Sequence, residues 1–159
     1  MIMERSEGLK IPERKEIGGM RVLVVDDYGS VRNVMQKMVM RILGSKGLVE
    51  IAEDGEEALG ILRKEAFQLV ISDGKMPKMN GVKLAEEAIK LVNPPLMFVL
   101  TSTDVHELGF SGHKEDLQRQ LRERGVDIFI EKPISFEKMK ELIGEVKEKL
   151  RGEEGEEYK

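Results

Sequence analysis

Ser72-Asp73-Gly74-Lys75-Met76-Pro77-Lys78-Met79-Asn80-Gly81 joins two segments of opposite character. Before it runs Phe67-Gln68-Leu69-Val70-Ile71, apolar and rich in strand formers, so the spacing predicts a strand over 67–72. Pro77 and the Asn80-Gly81 pair are turn signals. After them Val82, Ala85, Ala88, Ile89 and Val92 recur at helical spacing, and Asn93-Pro94-Pro95 closes that helix. Asp73 therefore stands where a buried strand gives way to a loop. A carboxylate in that place is either a loop cap or a chemical group, and the ends of the other strands decide between the two.

Working outward, three further apolar runs end in polar side chains. Arg21-Val22-Leu23-Val24-Val25 reads as a strand buried on both faces and ends in Asp26-Asp27. Leu96 to Leu100 is another and ends in Thr101-Ser102. Val126 to Ile130 is the last and ends in Glu131-Lys132-Pro133. A shorter strand, Leu48 to Ala52, carries nothing comparable. Helical patterns lie between them. Val31, Val34, Met35, Met38, Ile42 and Leu43 follow the first strand, with Ser30 as the expected cap. Asp54 and Glu57 form an expected capping box for a helix through Lys64. Leu117 and Leu121 mark the fourth helix. The last one starts after Ser135 and turns Phe136, Met139, Leu142, Ile143, Val146 and Leu150 inward.

Five strands alternating with five helices predict an α/β fold with a parallel sheet covered on both faces. In such sheets ligands bind beyond the carboxyl ends of the strands. Asp26, Asp27, Asp73, Thr101 and Lys132 converge there. Clustered carboxylates repel one another, and a hard divalent cation relieves that repulsion through oxygen ligands. The set is therefore a candidate Mg²⁺ site with room for a phosphoryl group. Asp73, alone on its strand, is the candidate nucleophile for an aspartyl phosphate. Lys132 supplies a point charge and Thr101 a hydroxyl donor to phosphoryl oxygens.

Composition sets outer bounds. The chain has 159 residues, 35% of them charged, with a formal net charge of −4. One domain is expected, and the acidic balance argues against nucleic acid as a partner. With no cysteine, thiol chemistry and zinc thiolates are excluded. No apolar run is long enough for a bilayer span or a secretory signal, so the expectation is a cytoplasmic protein without membrane insertion. His106 and His113 lack metal-ligand spacing and are expected at the surface. Residues 1–19 read as a flexible extension, 20–151 as the folded domain and 152–159 as an acidic tail.

These pieces, in this order, resemble the receiver domain of two-component response regulators, in particular the single-domain, CheY-like chemotaxis type. The carriers are Val-Leu-Val-Val-Asp26-Asp27, Ala52-Glu53-Asp54-Gly55, Val70-Ile71-Ser72-Asp73, Met76-Pro77 with Asn80-Gly81, Leu100-Thr101-Ser102 and Lys132-Pro133. The resemblance spans about residues 20–150. It implies a doubly wound, flavodoxin-like sheet of order 2-1-3-4-5. It also implies Asp73 as phosphoacceptor, Asp26 and Asp27 as metal-binding acids, and a metal contact from the Lys75 backbone carbonyl. Thr101 becomes a switch hydroxyl, Phe129 a switch aromatic, and Lys132-Pro133 a cis bond. A sensor histidine kinase is the implied donor of phosphate. The output is binding to a downstream protein, in chemotaxis or another process. A Mg²⁺-dependent aspartyl-phosphate phosphohydrolase is the alternative; its usual Asp-x-Asp motif is replaced here by adjacent acids.

Three features depart from that family pattern. Phe129 stands where many members carry Tyr, and Lys75 where Asn or Met is common. The Lys75 side chain is expected at the mouth of the site, able to pair with Asp73 and to prolong the phosphorylated state. The segment from Thr101 to Gly125 is longer than in compact members by roughly two to three helical turns' worth of residues. Within it, Thr103 to Gly112 shows two glycines and no period, and is expected as a flexible loop beside the output face.

Overall fold

A computed structural model describes residues 19–157, with side chains through Gly152. The extension expected over residues 1–19 lies, apart from Gly19, outside the described residues. The elements are β1 (Arg21–Val25), α1 (Gly29–Leu43), β2 (Leu48–Ala52), α2 (Gly55–Lys64), β3 (Leu69–Asp73) and α3 (Gly81–Ala88). They continue with β4 (Met97–Ser102), a 3-10 turn (Val105–Leu108), α4 (Lys114–Glu123), β5 (Ile128–Glu131) and α5 (Phe136–Glu157). The five strands pair in parallel in the order β2-β1-β3-β4-β5. This is the doubly wound α/β sheet expected, with β1, β3 and β4 at its centre.

Alternation along the strands splits the core in two. Leu23, Val25, Val70, Phe98 and Leu100 face α2 and α3, meeting Leu59, Leu62, Leu84 and Ala85. Val22, Val24, Leu69, Ile71 and Val99 face the other way, onto Met35 and Val39 of α1 and Met139, Leu142, Ile143 and Val146 of α5. Each fully buried aliphatic side chain contributes about 1.5–3 kcal/mol of transfer free energy. Both faces of the central strands are dry, which is why those strands read as unbroken apolar runs.

The helix ends differ from expectation in instructive ways. α1 starts at Gly29, so Ser30 lies inside the first turn and caps nothing. Asp26 takes over the entry: its Oδ1 accepts from the Tyr28 amide at 2.9 Å. At α2, Asp54 does cap the Glu57 amide at 2.9 Å, but Glu57 reaches back to the Glu53 amide at 3.5 Å, one residue beyond the Asp54 amide that a capping box would use. α3 stops at Ala88. Lys90 and Leu91 then bond three residues back, to Glu87 and Ala88, and the tightened chain leaves Ile89 and Val92 exposed. Ser135 caps α5 by accepting from the Lys138 amide at 3.1 Å. α5 runs on to Glu157, into the stretch read as a tail, where four glutamates, good helix formers, outnumber Gly152 and Gly155.

Thr103 to Gly112 departs most from a structureless loop. Asp104 caps a 3-10 turn by accepting from the His106 amide at 2.9 Å. Gly109 closes that turn at φ 89°, a conformation that favours glycine. Phe110 then enters the core and is only 5% exposed. His106 and His113 are both exposed, and His106 Nδ1 lies 3.0 Å from the Phe110 carbonyl oxygen.

Candidate functional site

Parallel pairing fixes which side chains meet. Asp73 is the last residue of β3 and stands in register with Thr101 of β4. Val25 stands beside Ser72, which brings Asp26 and Asp27 level with Asp73 across the β1–β3 seam. One carboxylate oxygen from each of Asp26, Asp27 and Asp73 lies within 4.8 Å of the others. Asp26 and Asp73 are buried, whereas Asp27 faces solvent. Lys132, beyond the end of β5, closes the cluster. Its Nζ lies 3.1 Å from Asp26 Oδ2 and 3.0 Å from Asp73 Oδ1. The Lys132 amide donates to the Ser102 carbonyl at 2.9 Å, and the Lys132-Pro133 bond is cis.

One ammonium thus bridges two buried carboxylates, and the charges alter each other. Burial pushes the Asp73 carboxyl up; Lys132 opposes this, Asp26 and Asp27 reinforce it, and the net direction is upward. Burial works against the Lys132 ammonium, yet hydrogen bonds and charge from Asp73 and Asp26 outweigh it and hold its pKa above the usual value. Three acids facing one cation leave excess negative charge. The donor set is all oxygen and partly open through Asp27, which suits a hard divalent cation such as Mg²⁺.

The loop after Asp73 is held on both flanks. The Gly74 amide donates to the Thr101 carbonyl at 2.7 Å, and the Gly81 amide to the Gly74 carbonyl at 3.0 Å. A Cβ on Gly81 would lie 2.3 Å from the Asp73 carbonyl oxygen, so only glycine fits there. On the α2 side, the Gly55 amide donates to the Met79 carbonyl at 3.1 Å, and Lys78 Nζ lies 3.6 Å from Asp54 Oδ2. On the other side, Lys75 Nζ lies 3.8 Å from Glu107 Oε2. Leu108 covers Gly74: a Cβ there would meet Leu108 Cδ1 at 2.7 Å.

The structure therefore gathers Asp26, Asp27, Asp73, Lys132 and Thr101. It sends the Lys75 side chain to Glu107, which corrects the expected pair with Asp73; Lys132 already holds that carboxylate. Thr101 is buried, and its hydroxyl donates to the Ser72 carbonyl at a long 3.4 Å. Phe129 lies apart from the cluster, opposite Leu100 on β5 and packed partly buried against the α2–α3 face. Sequence reasoning missed Arg32, whose Nη1 donates to the Asp26 carbonyl at 2.7 Å while Nη2 lies 3.6 Å from Glu53. It also missed Glu107 and Leu108, because nothing local marks a side chain whose partner lies on another loop.

With this geometry in hand, residues 22–144 match the family model described as response regulator receiver domain. The chain belongs to that family. As a receiver domain it is 31% identical over 136 residues to the chemotaxis protein CheY-3 of Vibrio cholerae, an alignment covering 82% of this chain and 94% of that protein. It resembles the solved structure of Vibrio cholerae CheY4 with a TM-score of 0.64 at 25% identity, covering 80% of this chain and 98% of the other. It shares the fold, at 16% identity and a TM-score of 0.63, with the receiver domain of a Pseudomonas aeruginosa sensor histidine kinase solved with a magnesium ion in its active site cleft; 78% of this chain and 93% of the other are covered. This receiver domain contains no helix long and apolar enough to cross a membrane among its described residues.

Proposed function

We propose that this receiver domain, residues 20–151, is a phosphorylation-controlled switch that takes phosphate on Asp73 from a histidine kinase. The carrying observation is the Lys132 ammonium set between Asp73 and Asp26, beside three carboxylates that face one another. An Asp73 carboxylate oxygen attacks phosphorus in line with the donor bond. The oxygen–phosphorus bond forms as the nitrogen–phosphorus bond of a phosphohistidine breaks, and the electron pair returns to the imidazole. Lys132 exchanges a carboxylate oxygen for a phosphoryl oxygen without moving far. The side chains of Asp26, Asp27 and Asp73, with the Lys75 carbonyl, would hold Mg²⁺. That ion, when bound, neutralises charge on the phosphoryl oxygens.

Thr101 carries the signal inward. Its bond to Ser72 is long and weak, so a phosphoryl oxygen at Asp73 competes for the hydroxyl at little cost. A shift of Thr101 toward Asp73 opens space beside Phe129, which biases the face built by α4, β5 and α5. That face would bind a downstream protein. The likeness to CheY proteins supports chemotaxis as the process, and a cytoplasmic setting follows from that role. Exposure to acetyl phosphate and Mg²⁺ should add one phosphate by mass spectrometry and none to Asp73→Asn. A phosphate retained by Asp73→Asn overturns the assignment. Sustained turnover of small phosphate esters would instead favour the phosphohydrolase.

A further inference from the structure

The phosphoacceptor and the switch hydroxyl each lead into a loop, and the two loops meet. Two residues beyond Asp73, Lys75 pairs with Glu107 at 3.8 Å. One residue beyond Asp73, the buried Gly74 lies under Leu108. Glu107 and Leu108 belong to the turn that leaves β4 just after Thr101 and Ser102. That turn is organised from within. Asp104 caps it, Thr103 Oγ1 donates to Glu107 Oε2 at 3.4 Å, and His106 meets the Phe110 carbonyl. Phe110 anchors its far end in the core, under the Arg124 guanidinium at 5.7 Å from the ring centroid. The segment is thus fixed at both ends, with Leu108 and Glu107 turned to the loop that follows Asp73.

We infer that Glu107 and Leu108 are positioning residues that seat the Thr103–Phe110 segment as a wall beside the Asp73 site, and that this wall slows the loss of phosphate. The inference rests on Asp73 being the phosphoacceptor. An acyl phosphate survives only while water is kept from the line opposite its oxygen–phosphorus bond. Leu108 is the apolar part of the barrier. The Glu107–Lys75 pair holds that part in place and keeps the Lys75 ammonium to one side. Both charges are exposed, so the pair acts as a locator for side chains and adds little to fold stability.

Wild type, Leu108→Ala, Glu107→Gln, Leu108→Met and the charge-swapped Lys75→Glu/Glu107→Lys are phosphorylated with acetyl phosphate and Mg²⁺. The donor is then removed, and remaining phosphate is followed with time. Leu108→Ala and Glu107→Gln should shorten the half-life about threefold or more, with unchanged melting for Glu107→Gln. Leu108→Met and the charge swap should keep most of it, whereas a merely structural role would move the half-life only in step with the melting temperature. An unchanged or longer half-life in both single variants overturns the inference while leaving Asp73 in its role. Failure of the charge swap to restore the half-life removes Glu107 from the wall. Wild type that takes no phosphate overturns the Asp73 reading, and this inference with it.

Discussion

Asp73 sits in a place that suits its charge poorly when no cation but Lys132 is near. Burial raises its pKa and Lys132 recovers only part of the loss. A carboxyl whose folded pKa lies above its ordinary value of 3.8 adds stability below that value, and the contribution disappears as pH rises through the folded pKa. At neutral pH the ionised group is therefore a cost to the fold. Asp73→Asn should melt higher than wild type at pH 7 without metal, by a few degrees for a gain of ~1 kcal/mol, and the gap should close as pH falls toward 4. Thermal melts across that range check it; a lower melting point for Asp73→Asn would mean that the bond to Lys132 outweighs burial. Asp73, Asp26, Thr101 and Lys132 were all legible in the sequence, because each stands at or just past the end of a run of strand formers. The partner of Lys75 was not, since an exposed pair between two loops leaves no local trace.

At the level of elements, the segment between β4 and α4 is the informative case. Its four-residue 3-10 turn is too short to show a period, so sequence patterning reads it as featureless. Its order comes from Phe110, one aromatic whose burial no neighbouring residue announces. Phe110→Ala should cost about 3 kcal/mol in urea unfolding, through lost contacts with the α2–α3 core and the stacked Arg124. A cost below 1 kcal/mol would show the segment to be loosely attached. α3 teaches the converse. Ile89 and Val92 keep the helical spacing yet lie beyond the last helical residue, so periodicity overran the element it marked.

For the molecule as a whole, the excess of carboxylates at the sheet's rim sets how it should answer a cation. Added Mg²⁺ should raise the melting temperature, by up to ~2.7 kcal/mol of stabilisation at a hundredfold excess over Kd. Asp27→Ala should lose most of that rise while melting no lower than wild type in the absence of metal, because Lys132 pairs with Asp26 and Asp73, and among the described residues Asp27 brings charge with no cation beside it. Calorimetry with and without Mg²⁺ decides it. Strand order was not readable from the pattern of runs, which permits several arrangements; the family resemblance carried it. The division of the apolar interior has one more consequence. The sheet is a party wall, and among the described residues the buried side chains on either side form two separate clusters. Val39→Ala on the inner face of α1 and Leu59→Ala on the inner face of α2 should add in their effects within about 0.5 kcal/mol. A lineage can then renovate the flank under α1 and α5 to greet a new neighbour, while the tenants under α2 and α3 feel nothing.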